Sequence, residues 1–466
     1  MLRTAVAYAD ITPGESVPLM GYGDRTHNSE GIHDPLFAYA WWLKAEGREA
    51  YVWIVLDLCV LSVQSVDLLA RAISERVGLA ADRIMISTTH THSGPDTVFI
   101  GINGEPWAER YYRLLVESCA SAVRSAREQS HPCRIEVRSG RSELGVNRRD
   151  IDAPIDPRLL VLSLIDEQDR LCGCLFHYSC HLTVLGVDNY QISADWLGPV
   201  RQRLQRDLGC PLMFLQGAEG NVDPVSRGAL DMADPDQAVG SSFAVLEELA
   251  AGMITSISEA LAGESRAALT ELSVDARTVK MPLRFGGLTP AQVQEKIDWW
   301  RERFASFLEI PADRVPEDWS INSMIKQQAR RKNLSDSETL GWVAEQFTFA
   351  TFLGIYKIAG QMIDSDTGEV SCPVRVLDFG TLTFLCAPME ILLDVAFDWQ
   401  QRFSERIAAI CGLFGGWIGY LPHSRNFEEA RADELYETIS SMFTPGASLQ
   451  LLEQAEDMVR SRSAAS

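Results

Sequence analysis

Short apolar runs alternate with amphipathic segments through the first half of the chain. The runs YVWIVLDLCV, RIMISTT and RIEVRS are typical of β-strands, and between them VDLLARAISERVG and the segment from Trp107 to about Glu128 show helical spacing. Further strands are predicted at LLVLSLID (159–166), LCGCLFHYS (171–179) and PLMFLQG (211–217). This alternation predicts an α/β fold, in which ligand sites gather at strand ends.

The middle of the chain has a different pattern. Between about Leu288 and Met362 strand signals vanish, and Trp, Arg, Glu and Gln recur at helical spacing. We therefore predict a helical insertion at about 288–362, which forms either a lid over the cleft or an interface between subunits of a homo-oligomer. Strand patterns return in CPVRVLDFGTLTFLCAP (372–388), and PMEILLDVAFDWQQRF is predicted to be a helix that starts close to Pro388. No repeat or linker divides the chain, so residues 1–466 are predicted to form one interrupted domain.

The acidic composition limits the kinds of molecule that the protein is expected to bind. Lys and Arg number 42 against 64 Asp and Glu, a net charge of -22 that repels phosphate backbones and anionic lipid surfaces. We expect a small-molecule substrate, no nucleic acid and no stable membrane association. The stretch MLRTAVAYADITPG has no signal-peptide pattern, which predicts a cytoplasmic protein, and the cysteines lie in apolar surroundings that predict buried, reduced thiols.

The stretch THTHSGP follows an apolar strand and holds two of the eight histidines. Residues two apart on a strand project from the same face, so His90 and His92 are predicted to share one cleft. His181, after another strand, could supply a second metal nitrogen, and Glu390 lies at a predicted strand-to-helix junction. His177 is predicted to be structural. Because the chain has no GxSxG elbow and no Gly-rich phosphate loop, metal-assisted hydrolysis is the chemistry these residues favour.

Several short motifs follow one another along the chain: DITP (10–13), MGYG (20–23), GIHDPLFA (31–38), LDL (56–58), THTHSGP (89–95), GVNRR (145–149), ISADW (192–196), QGAEGNVDP (216–224) and PMEILLD (388–394). With these motifs in this order, the sequence resembles the neutral/alkaline non-lysosomal ceramidases and their bacterial relatives. The resemblance implies mixed β-sheets flanked by helices in a layered sandwich, and the family's C-terminal β-sandwich module is not expected in this chain.

The resemblance also implies one zinc ion per chain. In the family a zinc is bound by the first histidine of THTHS, a later histidine, a glutamate and a tyrosine, which correspond to His90, His181, Glu390 and Tyr420 of this sequence. Two neutral nitrogens and a carboxylate leave net positive charge on zinc, which makes bound water acidic. Tyr420 is expected to act in catalysis as well as in binding the metal.

Other motif residues receive roles through the same resemblance. His92 is expected to transfer a proton or hold the oxyanion beside the metal, and Arg148 to stabilise negative charge or grip a substrate carboxylate. Arg149 is the rival for that place, and Asp223 stands where ceramide hydrolases of the family carry a serine, so both are expected at the substrate. A last group is expected to orient ligands or fix loops: Asp57, Asp195, His33 and Asp34.

The expected function is zinc-dependent hydrolysis of the amide bond of a small soluble N-acyl compound. Arg148 would polarise the carbonyl together with zinc, and His92 would help protonate the leaving nitrogen. An ester or lactone is the nearest alternative, because its tetrahedral oxyanion needs the same stabilisation. The other alternative is a binding protein that kept the fold and lost catalysis.

Overall fold

The computed structural model describes most of the chain between residues 2 and 463. The ranges outside the described part are 24, 103, 228–241, 270, 285–289, 317–319, 336–337, 340, 344, 347–348, 350–352, 354–361, 365–366, 430–431 and 433–434. Within the described part, no helix combines the length and the apolar character needed to cross a membrane.

The elements follow one another in a mixed order of strands and helices. The strands are β1 (Leu2–Asp10), β2 (Gly31–Ile32), β3 (Phe37–Lys44), β4 (Tyr51–Leu56), β5 (Ile84–Thr88), β6 (His131–Arg141), β7 (Gly145–Asn147), β8 (Arg158–Asp166), β9 (Leu171–Tyr178), β10 (Gln191–Ile192), β11 (Leu212–Gln216), β12 (Val222–Pro224), β13 (Ala267–Leu269), β14 (Ser273–Pro282), β15 (Ile363–Asp364), β16 (Glu369–Asp378), β17 (Leu382–Cys386), β18 (Glu390–Ile391), β19 (Ile407–Cys411) and β20 (Tyr420–Leu421). The helices are α1 (Val63–Val77), α2 (Pro106–Gln129), α3 (Leu197–Leu208), α4 (Phe243–Ala262), α5 (Pro290–Leu308), α6 (Ser320–Arg331), α7 (Leu393–Arg402), α8 (Tyr436–Ile439) and α9 (Ala447–Ser463).

Two mixed sheets form the centre of the molecule. The larger has the strand order β11-β9-β8-β6-β1-β3-β4-β5, with β13 paired to β6. It contains antiparallel pairs such as β1 with β3 and parallel pairs such as β4 with β5. The smaller has the order β14-β16-β17-β19, with β15 paired to β16. Both sheets therefore mix the two kinds of pairing, as predicted.

The sheets pack face to face through large aromatic side chains. Trp41 stacks on Phe379 with ring centroids 5.8 Å apart, and Trp53 meets Phe384 edge to face at 6.0 Å. Both tryptophans are fully buried, and each such side chain contributes a few kcal/mol through the apolar area it buries. The outer faces are covered by α1 to α4 on the larger sheet and by α7 and α9 on the smaller one. The predicted layered α/β sandwich flanked by helices is confirmed.

Sequence patterns did not reveal two strands at the centre of the larger sheet. β1 and β3 pair with each other over Arg3–Asp10 and Phe37–Lys44, and β1 continues to β6. AVAYA and FAYAWW are continuously apolar, and a short run of this kind does not distinguish a buried strand from a buried segment of helix. These strands nevertheless connect the two halves of the sheet.

The helix predicted to start near Pro388 begins later. Glu390 and Ile391 form β18, which pairs in parallel with Tyr420 and Leu421 of β20, and α7 starts only at Leu393. The prediction of a helix from Pro388 was wrong because this short ladder uses the backbone of residues 390–391. Glu390 is therefore held by strand pairing rather than in a first helical turn.

Helices occupy the described part of the predicted insertion at 288–362. α5 and α6 share an apolar cluster that includes Trp300, Phe304 and Ile325. Tyr436 and Ile439, at the two ends of α8, pack against this cluster. The helical segment is thus joined to the part of the chain that carries Glu437. Its assignment as an insertion, and its role as lid or interface, stay predictions.

Three small ladders lie beside the sheets and carry the motif residues. β2 pairs with β10, β7 with β12, and β18 with β20. Each ladder joins segments that are far apart in sequence, so each fixes one motif against another. Asp223, Glu390 and Tyr420 lie within these ladders, and Arg148 and Ser193 follow them directly.

Candidate metal centre

His90, His181 and Glu390 meet in the interior of the protein. Glu390 Oε2 lies 3.3 Å from His90 Nε2 and 3.3 Å from His181 Nε2. The three residues are at most 2% exposed, and their potential ligand atoms lie within 4.8 Å of one another. The sequence had placed these residues up to 300 positions apart, and the fold brings them to one point.

Hydrogen bonds on the far side of each ring fix the orientation of both histidines. His90 Nδ1 lies 3.1 Å from the Cys59 carbonyl oxygen, and His181 Nδ1 lies 3.0 Å from the carbonyl oxygens of Glu219 and Val222. Because a carbonyl can only accept, each Nδ1 carries a proton, and whenever the ring is neutral its Nε2 turns a lone pair towards Glu390. Metal-ligating histidines typically have this arrangement.

The carboxylate of Glu390 is held at one oxygen and open at the other. Trp417 Nε1 donates to Oε1 at 2.8 Å, whereas the buried Oε2 has no hydrogen-bond partner. An unpaired buried carboxylate oxygen facing two nitrogen lone pairs is costly unless a cation lies between them. The donor set of two imidazoles and one carboxylate therefore fits a zinc ion.

The ionisation of the cluster follows from burial and from the neighbouring charges. Burial raises the pKa of Glu390, but the facing His90 and His181 outweigh it and hold the pKa well below the usual range. Burial, and then the charge of Arg148, lower the pKa of His181. At neutral pH Glu390 is thus a carboxylate and His181 a neutral imidazole. Burial lowers the pKa of His90, but Cys59 and Glu390 outweigh it and raise the pKa well above its usual value, so metal binding must displace a proton from His90.

An unusual backbone conformation brings His92 beside His90. β5 ends at Thr88, and His90 has φ 70°, a left-handed conformation that is rare outside glycine. The two rings converge, with 3.3 Å between their Nε2 atoms, because the chain turns at His90. The predicted proximity of His90 and His92 is thus observed, but the predicted cause, alternation along one strand, was wrong.

Tyr420 stands beside Glu390 because the two residues are paired in register between β20 and β18. Arg148 Nη2 donates to the Tyr420 hydroxyl at 3.3 Å. Burial and the charge of Glu390 raise the pKa of Tyr420 well above its usual value, so the side chain is a neutral phenol. Tyr420 therefore lies where the resemblance to the ceramidase family implied, and its role as a ligand stays a prediction.

Arg148 is buried and surrounded by acceptors. Its Nε donates to Glu437 Oε1 at 2.6 Å, its Nη2 to the Gly220 carbonyl at 2.8 Å, and its Nη1 lies 3.4 Å from Asp223 Oδ1. Nη1 also lies 3.4 Å from His181 Nε2. These contacts make Arg148 a bridge between the candidate ligands and two buried carboxylates, with its side chain only 6% exposed.

Arg149 and Asp223, predicted at the substrate, differ in their distance from the cluster. Arg149 forms ion pairs with Glu429 at 2.7 Å and with Glu437 at 2.8 Å, and it also donates to the Asn426 carbonyl; these partners are distinct from the cluster's ligand residues. Asp223 Oδ1 lies 3.7 Å from His181 Nδ1 and accepts from Thr183. The structure brings Asp223 to the centre and leaves Arg149 in the adjoining ion-pair network.

The remaining motif residues hold loops. Asp195 accepts from the backbone N–H groups of Val184 and Leu185, at 3.1 and 2.9 Å, a few residues after His181. Asp57 pairs with the buried Arg201 at 2.6 Å. Asp34 accepts from Ala194 N–H and is hydrogen-bonded to His33, so the pair anchors the ISADW stretch. His177, bonded to the Ile410 carbonyl at 2.7 Å, lies outside the cluster.

Sequence reasoning missed several residues around the centre. Trp417 orients Glu390, Cys59 fixes His90, and Glu437 joins Arg148 to Arg149. Glu219 is fully buried, and neither carboxyl oxygen has a partner. Burial raises its pKa to about 8. Of these, Glu219 lay within the motif QGAEGNVDP (216–224), and Trp417 lies three positions before Tyr420 in GGWIGY, so both could have been singled out from the sequence.

Gly21, in the MGYG motif, leaves room for His92. It has φ 106°, and a Cβ there would lie 2.4 Å from His92 Cγ. We expect Gly21→Ala to lower the free energy of unfolding by about 1 to 3 kcal/mol more than Gly419→Ala, because only the first forces an imidazole to move. Gly419 has a similar φ of 93°, and a Cβ there would meet only Met442 Cε at 3.8 Å, so it controls for backbone strain. Urea unfolding of both variants tests this, and equal losses would contradict the proposed contact.

Comparison with known proteins gives one consistent relationship. Residues 3–209 match the family model described as neutral/alkaline non-lysosomal ceramidase, N-terminal. Neutral ceramidase from Pseudomonas aeruginosa is 26% identical over 248 residues, which are 48% of this chain and 37% of that protein. Neutral ceramidase A from Dictyostelium discoideum is 24% identical over 252 residues, 47% of this chain and 35% of that protein. The matched stretch thus spans little more than a third of these curated relatives.

Two solved structures show that the similarity of fold covers nearly the whole chain. The crystal structure of neutral ceramidase from Pseudomonas aeruginosa superposes with a TM-score of 0.69 at 20% identity, covering 99% of this chain and 75% of that one. A ceramidase complexed with C2 superposes with a TM-score of 0.67 at 19% identity, covering 99% of this chain and 75% of that one. The resemblance read from the motifs is confirmed: residues 3–209 are similar in sequence to the neutral/alkaline non-lysosomal ceramidases, and the chain shares the fold of the solved neutral ceramidase.

Proposed function

We propose that this protein is a zinc-dependent hydrolase that cleaves the amide bond of a small N-acyl compound. The observation that carries the proposal is the convergence of His90 Nε2, His181 Nε2 and the unpaired Glu390 Oε2 at distances of 3.3 Å. Tyr420 is paired in register with Glu390, and its hydroxyl oxygen is the fourth donor atom of the proposed set. Zinc, when bound by these residues, supplies a Lewis acid that polarises a carbonyl and makes water acidic.

His92 is placed to move a proton in this reaction. Its Nε2 lies 3.3 Å from His90 Nε2, and its buried Nδ1 has no hydrogen-bond partner. Burial, and then the charge of the neighbouring His90, hold the pKa of His92 well below its usual value, so the resting ring is neutral. A neutral ring with a free nitrogen beside the reacting groups can relay a proton to the leaving nitrogen without retaining it.

Arg148 and Tyr420 supply positive potential at the same point. The guanidinium donates to the Tyr420 hydroxyl and to the Gly220 carbonyl, so its charge lies beside the ligands while its donors are occupied. Positive charge held in a buried site stabilises a developing oxyanion at little reorganisation cost. In this proposal Arg148 acts through its field and through Tyr420 rather than by gripping a substrate carboxylate.

Two observations guide the choice of substrate. The curated relatives are named neutral ceramidases, so an N-acyl amide is the substrate class to test first. Asp223, buried beside Arg148 and Arg227, occupies the position where the resemblance places a serine in ceramide hydrolases. A carboxylate there changes the recognition of the amine half, which favours a small, soluble N-acyl compound over ceramide.

The test compares amides with matched esters. Protein stripped by a chelator and then restored with zinc would be assayed on N-acyl amides, esters of the same acyl groups and a short-chain ceramide. We expect amide hydrolysis that disappears on chelation and returns with zinc. Turnover of esters alone would replace the amide assignment, and no turnover of any compound would favour a binding protein.

Four other features of the proposal are based on the sequence alone. One zinc per hydrolytic centre follows from the His90, His181 and Glu390 cluster implied by the resemblance. A cytoplasmic location, the absence of stable membrane association and a homo-oligomeric state also stay predictions. Elemental analysis would measure the zinc content, cell fractionation the location and membrane association, and light scattering the oligomeric state.

A further inference from the structure

A second group of side chains that can bind a metal ion lies at the end of the larger sheet opposite to the candidate metal centre. His131 and Cys133 open β6, and Cys172 is the second residue of β9. The far end of β9 leads to His181, and β9 alone spans roughly 25 Å, so this group is distinct from the candidate metal centre. The possible ligand atoms of the three residues lie within 4.8 Å of one another.

A β-bulge in the pairing of β8 with β9 orients the Cys172 side chain towards Cys133. β8 lies between β6 and β9, so thiols on the two outer strands are ordinarily too far apart to meet. The register between β8 and β9 shifts: Leu164 pairs with Gly173 and Ile165 with Leu171, which leaves Cys172 without an opposite residue. Such a bulge redirects the extra side chain. As a result the two sulfur atoms lie 3.6 Å apart.

The separation of the sulfurs matches shared coordination of an ion. Two thiolates bound to one tetrahedral zinc at 2.3 Å are separated by about 3.8 Å. A disulfide instead holds its sulfurs at about 2.05 Å. All ten cysteines of the chain are free, and Cys172 is the only one that is not buried.

His131 is oriented to complete the group. Its Nδ1 lies 2.8 Å from the Gln129 carbonyl oxygen. That carbonyl can only accept, so Nδ1 carries the proton and Nε2 keeps the lone pair, as in ligating histidines generally. His131 and Cys133 are two apart on β6 and so project from the same face. The partial exposure of His131 and Cys172 gives an ion access and leaves room for a water as fourth ligand.

We propose that His131, Cys133 and Cys172 form a second metal site, which binds a thiophilic divalent cation of the zinc class. Two thiolates neutralise the ion, and the imidazole adds a third bond. Binding ties the start of β6 to the start of β9 across β8. The site is separate from the proposed hydrolytic centre and does not depend on the proposed function.

Cobalt reports on thiolate ligation and therefore separates the two sites. Reduced, metal-free protein would be titrated with Co²⁺ while the near-ultraviolet thiolate-to-cobalt charge-transfer band is recorded. We expect the band in wild-type protein and also in Glu390→Gln, whose hydrolytic centre is disabled. It should be lost in Cys133→Ala and Cys172→Ala, and His131→Ala should weaken cobalt binding at least about tenfold.

Two further variants control for general effects of removing a thiol. Cys174→Ala removes a buried thiol two residues from Cys172, within the core beside α3 and α4, and should keep the band. Cys59→Ala removes the thiol that lies 3.6 Å from His90 Nδ1, and should also keep it. Loss of the band in Cys59→Ala, its persistence in Cys172→Ala, or its absence from reduced wild-type protein would each overturn the proposal. Circular dichroism of each variant verifies that it is folded.

Discussion

Glu390→Gln is expected to lose bound zinc and, with it, at least about 100-fold in turnover. Glutamine keeps the size of the side chain and an oxygen for the Trp417 N–H, which donates to Oε1 at 2.8 Å. What disappears is the negative charge of Oε2, which faces two imidazole nitrogens at 3.3 Å. Loss of groups that only support a metal ligand typically costs 10–100-fold in affinity or activity, so loss of a ligand should cost more. Elemental analysis in a Cys172→Ala background, which lacks the second proposed metal site, and the amide assay on the same preparation measure both effects.

Glu219→Gln is the matched control for this substitution. Glu219 is as buried as Glu390, and its backbone carbonyl accepts from His181. Its side chain differs in charge, because burial raises the pKa of Glu219 to about 8 and the carboxyl carries its proton at pH 7. Glutamine therefore replaces a neutral group, and zinc should be retained. Equal loss of metal from both variants would mean that the effect is a general disturbance of the core.

The residues that meet at the candidate centre could be singled out from the sequence because each lies next to a recognisable boundary. His90 follows the apolar stretch RIMISTT, His181 follows LCGCLFHYS, and Glu390 follows TFLCAP. Strand ends can be read from the apolar pattern, and polar residues at strand ends collect at one edge of a sheet. The pattern could not show which strands are neighbours, and for that the family resemblance was needed.

The supporting residues could not be predicted because their role depends on long-range pairing. Glu437 reaches Arg148 from a position 289 residues away, on a four-residue helix that packs against the helical cluster. The bulge at Cys172 arises from a register shift that leaves no trace in the composition of β9. The same limit explains the misplaced start of the helix after Pro388, where pairing with Tyr420 and Leu421 decides the conformation. Local propensity is a weak guide when tertiary contacts compete with it.

Arg148→Met is expected to reduce the free energy of unfolding by about 3 to 5 kcal/mol. The guanidinium is 6% exposed and lies between Glu437 and Asp223, each 1% exposed. Removing Arg148 leaves Glu437 with Arg149 and Asp223 with Arg227, so the charge of the buried network is only partly compensated, and methionine fills the volume without replacing the donors. The Gly220 carbonyl and the Tyr420 hydroxyl also lose a donor. Urea unfolding monitored by tryptophan fluorescence measures the change.

Arg203→Met gives the matched comparison on the surface. Arg203 pairs with Asp207 at 2.5 Å, but the two side chains are 58% and 41% exposed, so its removal should cost less than about 1 kcal/mol. If unpaired charge causes the instability of Arg148→Met, the double variant Arg148→Met/Glu437→Gln should lose less than the sum of the two single variants. Additive losses, or a loss as small as that of Arg203→Met, would mean that Arg148 contributes through packing alone. The electrostatic link from Glu437 through Arg148 to Tyr420 would then have to be abandoned.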